Sequence, residues 1–508
     1  MRLHARYHLN SHRPRFIYLL GTSALAGALT VLGFAPFYCY LAPFITLAVL
    51  CGLLSQVKRP SEALWVGLSF GIGLYAVGLS WMMTTLHHFA EMPVWLAGLS
   101  TLVLCFYMAS FTALATWLVV YLRSLWFLPF AWAFAEWLRG KGATGFPWLE
   151  MGYSQVPSSI LTGYLPVIGT YGLSVLVLAI AVLMFYLLHN HKHARVIAAT
   201  GLILLIGTGW ILQQITWTVK QEAPLTVALL QGNISQDTKW SVEQSKQIVL
   251  NYLNLIAQTD AHLIVLPETA FPIYLSQAMG KTREKLETLA RSKQADILIG
   301  MLDWQEGGVE RQKFNAVVNY GVSGLQTQHK THLVPFGEFI PLGWLFAPVY
   351  ERWFHMPHSD FSIGNTPQLF SIGQSKVFIS ICYDEMFGHD LAKSAGQSDY
   401  MISVNNGAWF GDSIGVEQYL QYSQARAIES QKMIARASNN GVTAIIDVDG
   451  KVSSRAPNNE RTILESYLFR YQGETFYNHW QDLTFIVLEL AGVAVLLIRL
   501  LICQKKFT

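Results

Sequence analysis

Three residues of the types that cooperate in covalent catalysis lie at or just after the ends of predicted strands. They are Glu268 in Leu-Pro-Glu-Thr-Ala-Phe-Pro, Lys330 in His-Lys-Thr-His, and Cys382 in Ile-Ser-Ile-Cys-Tyr-Asp-Glu. A thiol must lose its proton to attack a carbonyl, a carboxylate can accept that proton, and an ammonium can lower the thiol pKa and stabilise the resulting oxyanion. Taken singly, each residue also fits a structural role, but together they predict that Cys382 is a nucleophile.

Cys382 also differs from the other cysteines in its surroundings. The chain has five cysteines, and Cys39, Cys51, Cys105 and Cys503 lie in strongly apolar sequence. The polar region around Cys382 therefore cannot form an internal disulfide. An unpaired thiol is unusual in an oxidising compartment and suggests a chemical role for Cys382. The structural alternative is that Cys382 packs as a small buried hydrophobic residue.

The composition indicates a membrane protein. Of the 508 residues, 52% are hydrophobic and only 13% are charged, which is too apolar for an ordinary soluble enzyme. The net charge of +3 comes without a long basic run, so the sequence predicts no nucleic-acid partner.

Apolar segments long enough to cross a bilayer number about eight, at roughly 20 residues per span. They lie at 16–34, 37–55, 63–84, 93–121, 125–139, 165–188, 196–214 and 483–503. The fifth is short and carries Glu136, so we expect it to be tilted, re-entrant or packed inside a helical bundle.

Basic residues predict the orientation of these spans. Most of the Lys and Arg residues next to the spans fall on one side: Arg2, Arg6, Arg13, Arg15, Lys58, Arg59, Arg123, Lys192, Arg195, Lys505 and Lys506. The positive-inside rule then places both termini in the cytoplasm and the polar block between the seventh and eighth spans on the outer face, with Arg139 and Lys141 as exceptions. A cleaved signal peptide is the alternative for the first span.

Aromatic residues gather near the outer end of the fifth span. Trp137, Trp148, Tyr153 and Tyr164 fit an interfacial aromatic belt. The alternative is that residues 145–148 and the aromatic stretch 344–354 line a groove through which lipid enters.

The polar block has the alternating pattern of an α/β domain. Short apolar runs at 226–230, 262–266, 297–301, 377–382, 400–404 and 443–448 predict strands, and 241–258, 281–294 and 416–433 predict helices. We therefore expect a transmembrane bundle over 1–215, an outer-face domain over 224–472 and a final transmembrane helix over 483–503.

The Glu, Lys and Cys residues, in that chain order, resemble the catalytic triad of the nitrilase superfamily, whose fold is an αββα sandwich. More narrowly, the chain resembles the apolipoprotein N-acyltransferase family, in which such a domain is fused to a membrane bundle. The membrane half contributes Gly-Phe-Ala-Pro-Phe at 33–37, Glu-Trp-Leu-Arg-Gly at 136–140, Thr-Gly-Phe-Pro-Trp-Leu at 144–149 and Gly-Tyr-Ser-Gln at 152–155. The polar block contributes Gln-Gly-Asn at 231–233, Leu-Val-Pro-Phe-Gly-Glu at 333–338, Asn-Gly-Ala-Trp-Phe-Gly-Asp at 406–412 and Ser-Asn-Asn-Gly at 438–441.

The resemblance implies a role for each triad residue: Glu268 as general base, Lys330 as oxyanion stabiliser and Cys382 as nucleophile. It also implies that Glu338 is a second carboxylate that holds the lysine, for which a loop salt bridge is the alternative.

Further positions match the family. Trp240, Asn315 and Tyr383 stand where its supporting residues stand, although Trp240 also fits a packing role. Asp384 departs from the glutamate that the family usually carries after Cys-Tyr, so either Asp384 reproduces its hydrogen bonds or Glu385 takes its place.

The implied activity is a two-step acyl transfer without a cofactor. A membrane phospholipid, with phosphatidylethanolamine expected, donates a fatty acyl chain to Cys382. The α-amine of the N-terminal S-diacylglyceryl cysteine of an apolipoprotein then accepts it at the outer face of a bacterial inner membrane. Two alternatives are a membrane-tethered hydrolase that uses water and a non-catalytic lipoprotein-binding scaffold. No metal site is expected, because the adjacent His87 and His88 point to different helix faces.

Overall fold

The chain divides into two compact units. The computed structural model describes residues 3–141, 145–189, 192–278, 280–307, 310–344 and 361–504. The first unit comprises Met1–Met83, Pro93–Ile215 and Asp482–Thr508, and the second comprises Thr84–Met92 and Thr216–Gln481. The backbone therefore leaves or re-enters the first unit after Met83, Met92, Ile215 and Gln481.

Helices dominate the first unit and are interleaved with strands in the second. In chain order, the described α-helices are α1 (Leu3–Thr30), α2 (Ala42–Ser55), α3 (Pro60–Gly78), α4 (Trp81–Thr84), α5 (Val94–Tyr121), α6 (Leu128–Arg139), α7 (Leu165–His189), α8 (Lys192–Gln213), α9 (Gln236–Lys239), α10 (Val242–Gln258), α11 (Lys281–Lys293), α12 (Gly388–Gly396), α13 (Gly415–Ser430), α14 (Phe476–Trp480) and α15 (Asp482–Gln504).

Five of the described helices are long and apolar enough to cross a membrane, fewer than the eight expected from the sequence. They are Arg15–Gly33, Pro60–Gly78, Val94–Tyr121, Ile160–His189 and Lys192–Gln213. Helix α2 is shorter, and α6 has only 12 residues, about 18 Å of helix at 1.5 Å per residue. The first unit is thus a helical bundle with several apolar helices of membrane-spanning length.

Helix α6 places charged groups inside the bundle. Glu136 and Arg139 are both buried. Glu136 accepts hydrogen bonds from Trp132 Nε1 and from the Met151 amide, each at 2.9 Å, and Arg139 donates to the Trp148 carbonyl at 2.9 Å. Internal partners of this kind are what polar groups require at membrane depth.

The aromatic residues near α6 do not form an exposed belt. Trp148, Tyr153 and Tyr164 are all buried, because the chain after α6 folds back through the short 3₁₀ helices Met151–Gln155 and Ile160–Tyr164. The belt interpretation is therefore wrong for these three residues. Most of the stretch 344–354 lies outside the described residues.

The short segment Thr84–Met92 belongs to the second unit although both of its neighbours along the chain belong to the first. It contains a π-helical turn, Thr85–Phe89. Thr85 Oγ1 donates to the Trp409 carbonyl at 2.8 Å, and the Phe89 ring meets the Trp409 ring edge-on at 6.0 Å.

Strands of the second unit form two large sheets and one small one. They are β1 (Val219–Lys220), β2 (Leu225–Gln231), β3 (Leu263–Val265), β4 (Phe271–Tyr274), β5 (Asp296–Gly307), β6 (Glu310–Gly321), β7 (Gln326–His329), β8 (Phe370–Ile372), β9 (Ser375–Ile381), β10 (Tyr400–Asn405), β11 (Ile434–Ser438), β12 (Ala444–Ile446), β13 (Val452–Arg455), β14 (Thr462–Leu468) and β15 (Tyr471–Gln472). Among the described residues, a seven-stranded sheet has the order β14-β2-β3-β5-β6-β7 with β4 on β5, a six-stranded sheet has the order β13-β12-β11-β10-β9-β8, and β1 pairs with β15.

The two large sheets pack face to face between two layers of helices. On β2, Val227 and Leu229 belong to the core between the sheets, whereas Ala228 and Leu230 belong to the core shared with α10 and α11. On the other sheet, Met401 of β10 packs in the core beside α12 and α13. The unit is therefore a helix–sheet–sheet–helix sandwich, the layering that the family resemblance implied.

Parallel strands place two of the three candidate catalytic residues. Strands β2, β3 and β5 are parallel in one sheet, and β9, β10 and β11 are parallel in the other. Glu268 follows the end of β3, and Cys382 follows the end of β9. Carboxyl ends of parallel strands are common positions for functional sites in α/β folds.

Gly300 in β5 tests how tightly the Glu268 loop packs. A Cβ at this position would lie 2.3 Å from the Pro267 carbonyl oxygen and 2.7 Å from Glu268 Cα. Because these are backbone atoms, the Glu268 loop would have to shift, and overpacking of this kind costs about 1–3 kcal/mol. We expect Gly300→Ala to lower the melting temperature of the purified protein. Gly207→Ala is the control, since a Cβ there meets no atom of the described residues within 4 Å, and equal melting of both variants would contradict this packing.

Candidate active site

A buried ammonium held by two carboxylates is at the centre of the site. Lys330 Nζ lies 3.2 Å from Glu268 Oε1 and 2.9 Å from Glu338 Oε1, and its side chain is only 1% exposed. Burial alone would lower the pKa of Lys330, but Glu268 and Glu338 outweigh it and hold the pKa well above the usual value. The ammonium therefore keeps its charge where a lone lysine would tend to lose it.

The two carboxylates are held in turn by hydrogen-bond donors. Asn315 Nδ2 on β6 donates to Glu268 Oε1 at 2.7 Å and to Glu338 Oε1 at 3.2 Å. The second oxygen of Glu338 accepts from the Val334 amide at 2.9 Å. Asn315 thus brings the two acidic side chains towards the same lysine.

Cys382 begins a 3₁₀ turn directly after β9. Its backbone lies in the left-handed region, with φ of 49°, a conformation that costs energy for a residue with a side chain and is frequent at functional sites. The residue is partly buried, and Glu268, Lys330 and Glu338 all act electrostatically on its thiol. The structure therefore brings Glu268, Lys330 and Cys382 into one site.

The resting thiol is protonated at neutral pH. Burial and the negative charge of Glu268 raise the pKa of Cys382 to about 12, although Lys330 and a hydrogen bond from Tyr419 act in the opposite direction. As the sequence predicted, Lys330 acts to lower the pKa of the Cys382 thiol. Burial and the two carboxylates raise this pKa by more than Lys330 lowers it.

Asp384 fixes the backbone that follows Lys330. Its Oδ1 accepts from the Thr331 amide at 3.1 Å, from Thr331 Oγ1 at 2.9 Å and from the His332 amide at 2.6 Å. Glu385 instead pairs with Arg436 at 2.6 Å, and both of these side chains are buried. The two neighbouring acids therefore have different partners, and it is Asp384 that binds the backbone next to Lys330.

His332 links Asp384 to a third acid. Its ring nitrogens lie 3.3 Å from Asp384 Oδ1 and 3.0 Å from Asp390 Oδ2. Burial acts to lower the pKa of His332, but the hydrogen bonds to the two carboxylates raise it to about 9. His332 is therefore charged at neutral pH.

Two other residues singled out from the sequence lie outside this buried cluster. Trp240 is 53% exposed, with the Lys239 ammonium 5.6 Å from its ring centroid. Tyr383 is buried and meets the Phe387 ring edge-on at 5.2 Å. Neither is among the residues that bind Lys330 in the described contacts.

Comparison with known proteins separates the chain into two matched regions. Residues 26–183 match the model of the apolipoprotein N-acyltransferase N-terminal domain, and residues 226–468 match the carbon-nitrogen hydrolase model. An apolipoprotein N-acyltransferase of Nitrosomonas europaea is 42% identical over 84% of this chain and 86% of its own length. The chain belongs to the apolipoprotein N-acyltransferase family. A second member, from Chromobacterium violaceum, is 36% identical over 97% of this chain and 95% of its own length.

One solved structure matches part of the chain. The crystal structure of Saccharomyces cerevisiae Nit3, a member of branch 10 of the nitrilase superfamily, aligns with a TM-score of 0.37 and 17% identity. The alignment covers 53% of this chain and 96% of Nit3.

Several residues of this acyltransferase-family site were missed by sequence reasoning. Lys239 and Tyr419 act electrostatically on the Cys382 environment, and His332 extends the contacts of Asp384. Lys239 is the last residue of α9, which follows β2, so the strand-end argument used for Glu268 does not single it out. Tyr419 lies in the second turn of α13 and has no comparable signal in the sequence.

Asp384→Ala tests whether this carboxylate positions Lys330. Removing it leaves the Thr331 and His332 amides without their acceptor, so the backbone next to the lysine becomes free to shift. Displacement of a catalytic group by about 1 Å can cost up to ~100-fold in rate. We expect acyl-transfer activity to fall by about 10- to 100-fold in the folded variant. Asp390→Asn is the control, because Asp390 bonds His332 but not this backbone, and an equal loss in both variants would contradict the assignment.

The charge on His332 makes stability depend on pH in a defined direction. Its folded pKa of about 9 lies above the ordinary value near 6.5, so its contribution is complete below about pH 6.5 and is lost as pH rises through about 9. We expect the melting temperature of the unmodified protein to fall more between pH 6.5 and 9.5 than that of His332→Gln. Parallel melting curves across this range would contradict the assignment.

Proposed function

We propose that this chain transfers a fatty acyl group from a membrane phospholipid to the α-amine of an N-terminal S-diacylglyceryl cysteine, through a thioester on Cys382. The observation that carries the proposal is the buried contact of Lys330 with Glu268 and Glu338 beside Cys382, in a chain of the apolipoprotein N-acyltransferase family. The names of the relatives support an apolipoprotein as the acceptor. The site contains a carboxylate, an ammonium and a thiol, the groups that acyl transfer requires.

The first half-reaction forms the thioester. Glu268 takes the thiol proton as the Cys382 sulfur attacks the ester carbonyl of the phospholipid. Lys330 then stabilises the negative charge that develops on the carbonyl oxygen. When the tetrahedral intermediate collapses, the carbon–oxygen bond of the ester breaks, and the departing lysophospholipid alkoxide takes the proton from Glu268.

The second half-reaction forms the amide. The neutral α-amine of the acceptor attacks the thioester carbonyl, Glu268 accepts a proton from the nitrogen, and Lys330 again stabilises the oxyanion. The carbon–sulfur bond then breaks, and the proton held by Glu268 returns to the sulfur. Both halves use the same base and the same cation, which is consistent with a single compact site.

The high pKa of the thiol supports a coupled proton transfer. A thiol with a pKa of about 12 is almost entirely protonated at neutral pH, so the proton has to move as the sulfur attacks. Glu268 Oε1 lies 3.2 Å from the Lys330 ammonium, a contact that requires a carboxylate. A carboxylate, unlike a carboxylic acid, can accept a proton as a base. Keeping the thiol neutral between turnovers also limits its oxidation, since the thiolate is the reactive form.

We further propose that the protein is a multi-pass protein of the bacterial inner membrane with about eight spans. In this arrangement residues 1–215 and 483–503 cross the bilayer, and the domain at 224–472 lies on the outer face with both termini in the cytoplasm. Arg139 is buried in the bundle, and Lys141 lies 3.4 Å from Asp482. Because Arg139 is buried within the protein and Lys141 pairs with a carboxylate, neither is a free positive charge in an outer loop, and both are compatible with this orientation. Phosphatidylethanolamine is the proposed acyl donor.

Intact-mass analysis of the protein isolated from membranes tests the thioester. We expect a fraction of the molecules to carry one fatty acyl group that hydroxylamine removes, because hydroxylamine cleaves thioesters. The adduct should be absent in Cys382→Ala and present in Cys39→Ala, which changes an exposed cysteine of the first unit. An adduct that persists in Cys382→Ala would refute the proposed nucleophile.

A transfer assay separates acyl transfer from hydrolysis. The purified protein is incubated with vesicles that contain phosphatidylethanolamine labelled in its acyl chain and with a diacylated lipopeptide. Label in the lipopeptide amide supports the proposal. Release of labelled free fatty acid without transfer would show instead that water is the second acceptor.

A further inference from the structure

Lys239 is a buried cation that the reaction steps above do not use. It ends the short helix α9 and is only 1% exposed. Its Nζ donates a hydrogen bond to Thr269 Oγ1 at 2.5 Å, and Thr269 directly follows the proposed base, Glu268. Lys239 therefore lies next to the group that is to receive the thiol proton.

The electrostatic neighbours of Lys239 are the two groups that exchange this proton. Burial lowers the pKa of Lys239 to about 8, and the negative charges of Glu268 and of Cys382 in its thiolate form act in the opposite direction. Among the residues that the structure describes, no carboxylate oxygen lies within 4 Å of Lys239 Nζ in an ion pair. Its charge is thus available to the Glu268–Cys382 pair, whereas the charge of Lys330 is bound by two carboxylates.

The charges of the buried cluster show what Lys239 contributes. Glu268 and Glu338 are negative, and Lys330 is positive. When Cys382 gives its proton to Glu268, the negative charge moves from the carboxylate to the sulfur, so these three charges sum to one excess negative charge before and after the transfer. A buried excess charge is costly, and a nearby negative charge raises the pKa of a thiol. A second ammonium neutralises the cluster in both states.

We propose that Lys239 is the charge-balancing residue of this active site, and that its ammonium allows the Cys382 sulfur to carry negative charge when the thiolate forms and when it leaves the tetrahedral intermediate. The inference rests on the proposed function of Cys382 as the nucleophile. Lys239 acts through the sulfur and through Glu268 and needs no contact with either substrate. Besides Lys239, the groups that act on the thiol are Glu268, Lys330, Glu338 and Tyr419.

A purely structural role for Lys239 predicts different behaviour. In that case its hydrogen bond to Thr269 would only hold the Glu268 loop, and an uncharged donor of similar length would suffice. Lys239→Gln keeps a hydrogen-bond donor but removes the charge, whereas Lys239→Met removes both. Lys432→Met is the matched control, because Lys432 is equally buried and also has a pKa of about 8, but it donates to the Tyr471 and Gly473 carbonyls.

The experiment measures the alkylation of Cys382 by iodoacetamide between pH 6 and 10 in the full-length protein in detergent. Mass spectrometry of the peptide that contains Cys382 separates this thiol from the other cysteines. Below the pKa of the thiol, the alkylation rate is proportional to the fraction of Cys382 in the thiolate form. If this pKa rises by one unit, the rate at a given pH therefore falls about tenfold. Thioester formation from labelled phospholipid is measured on the same samples, and thermal melting verifies folding.

Below about pH 8, where Lys239 is charged, we expect Lys239→Met and Lys239→Gln to slow both alkylation and thioester formation by about tenfold or more, with Lys432→Met close to the unmodified protein. If Lys239→Met does not fold, the comparison of Lys239→Gln with Lys432→Met decides. Normal rates in Lys239→Gln would overturn the inference, whether or not Lys239→Met is slow. If the unmodified protein forms no acyl thioester on Cys382, the proposed function itself is refuted. The failure of the inference and the failure of the proposed function are therefore distinguishable.

Discussion

The burial of the Lys330 ammonium between Glu268 and Glu338 is the constraint on which the rest of the site depends. A charge removed from water is stable only if partners of opposite charge and additional hydrogen bonds compensate for the lost hydration. Asn315 and the Val334 amide supply those bonds to the carboxylates. These groups come from β6 and from loops after β3 and β7, so the order of the strands in one sheet has to be correct before the lysine can be buried.

The same cluster controls the protonation of the Cys382 thiol. Two carboxylates near Cys382 oppose the formation of a thiolate, while Lys330 favours it. The site therefore differs from cysteine sites in which a neighbouring cation produces a stable thiolate before substrate binds. Here the balance of charges keeps the sulfur neutral at rest, and in the proposed mechanism the sulfur attacks only as Glu268 takes its proton and the substrate carbonyl accepts the electron pair.

The sequence predicted strands with apolar residues on both faces better than strands with mixed composition. Both β5 and β10 were expected because buried strands give continuous apolar runs. Strand β11 was missed, since Arg436 lies inside it and is buried against Glu385, a partner that no local pattern reveals. For the site, residue type and strand-end position, together with the family resemblance, selected Glu268, Lys330 and Cys382. Contacts that depend on distant elements, such as that of Tyr419 on α13, could not be predicted in this way.

The segment Thr84–Met92 gives the chain an unusual connectivity. It packs on Trp409 as part of the second unit, while the residues on both sides of it belong to the first unit. The second unit is therefore not a continuous stretch of sequence. A fragment that starts at Thr216 and stops at Gln481 would lack one of its own pieces, and a single proteolytic cut after Ile215 would leave the two units covalently joined. Segments of the two units thus alternate along the chain. A separate domain attached by one linker would instead form one continuous stretch of sequence.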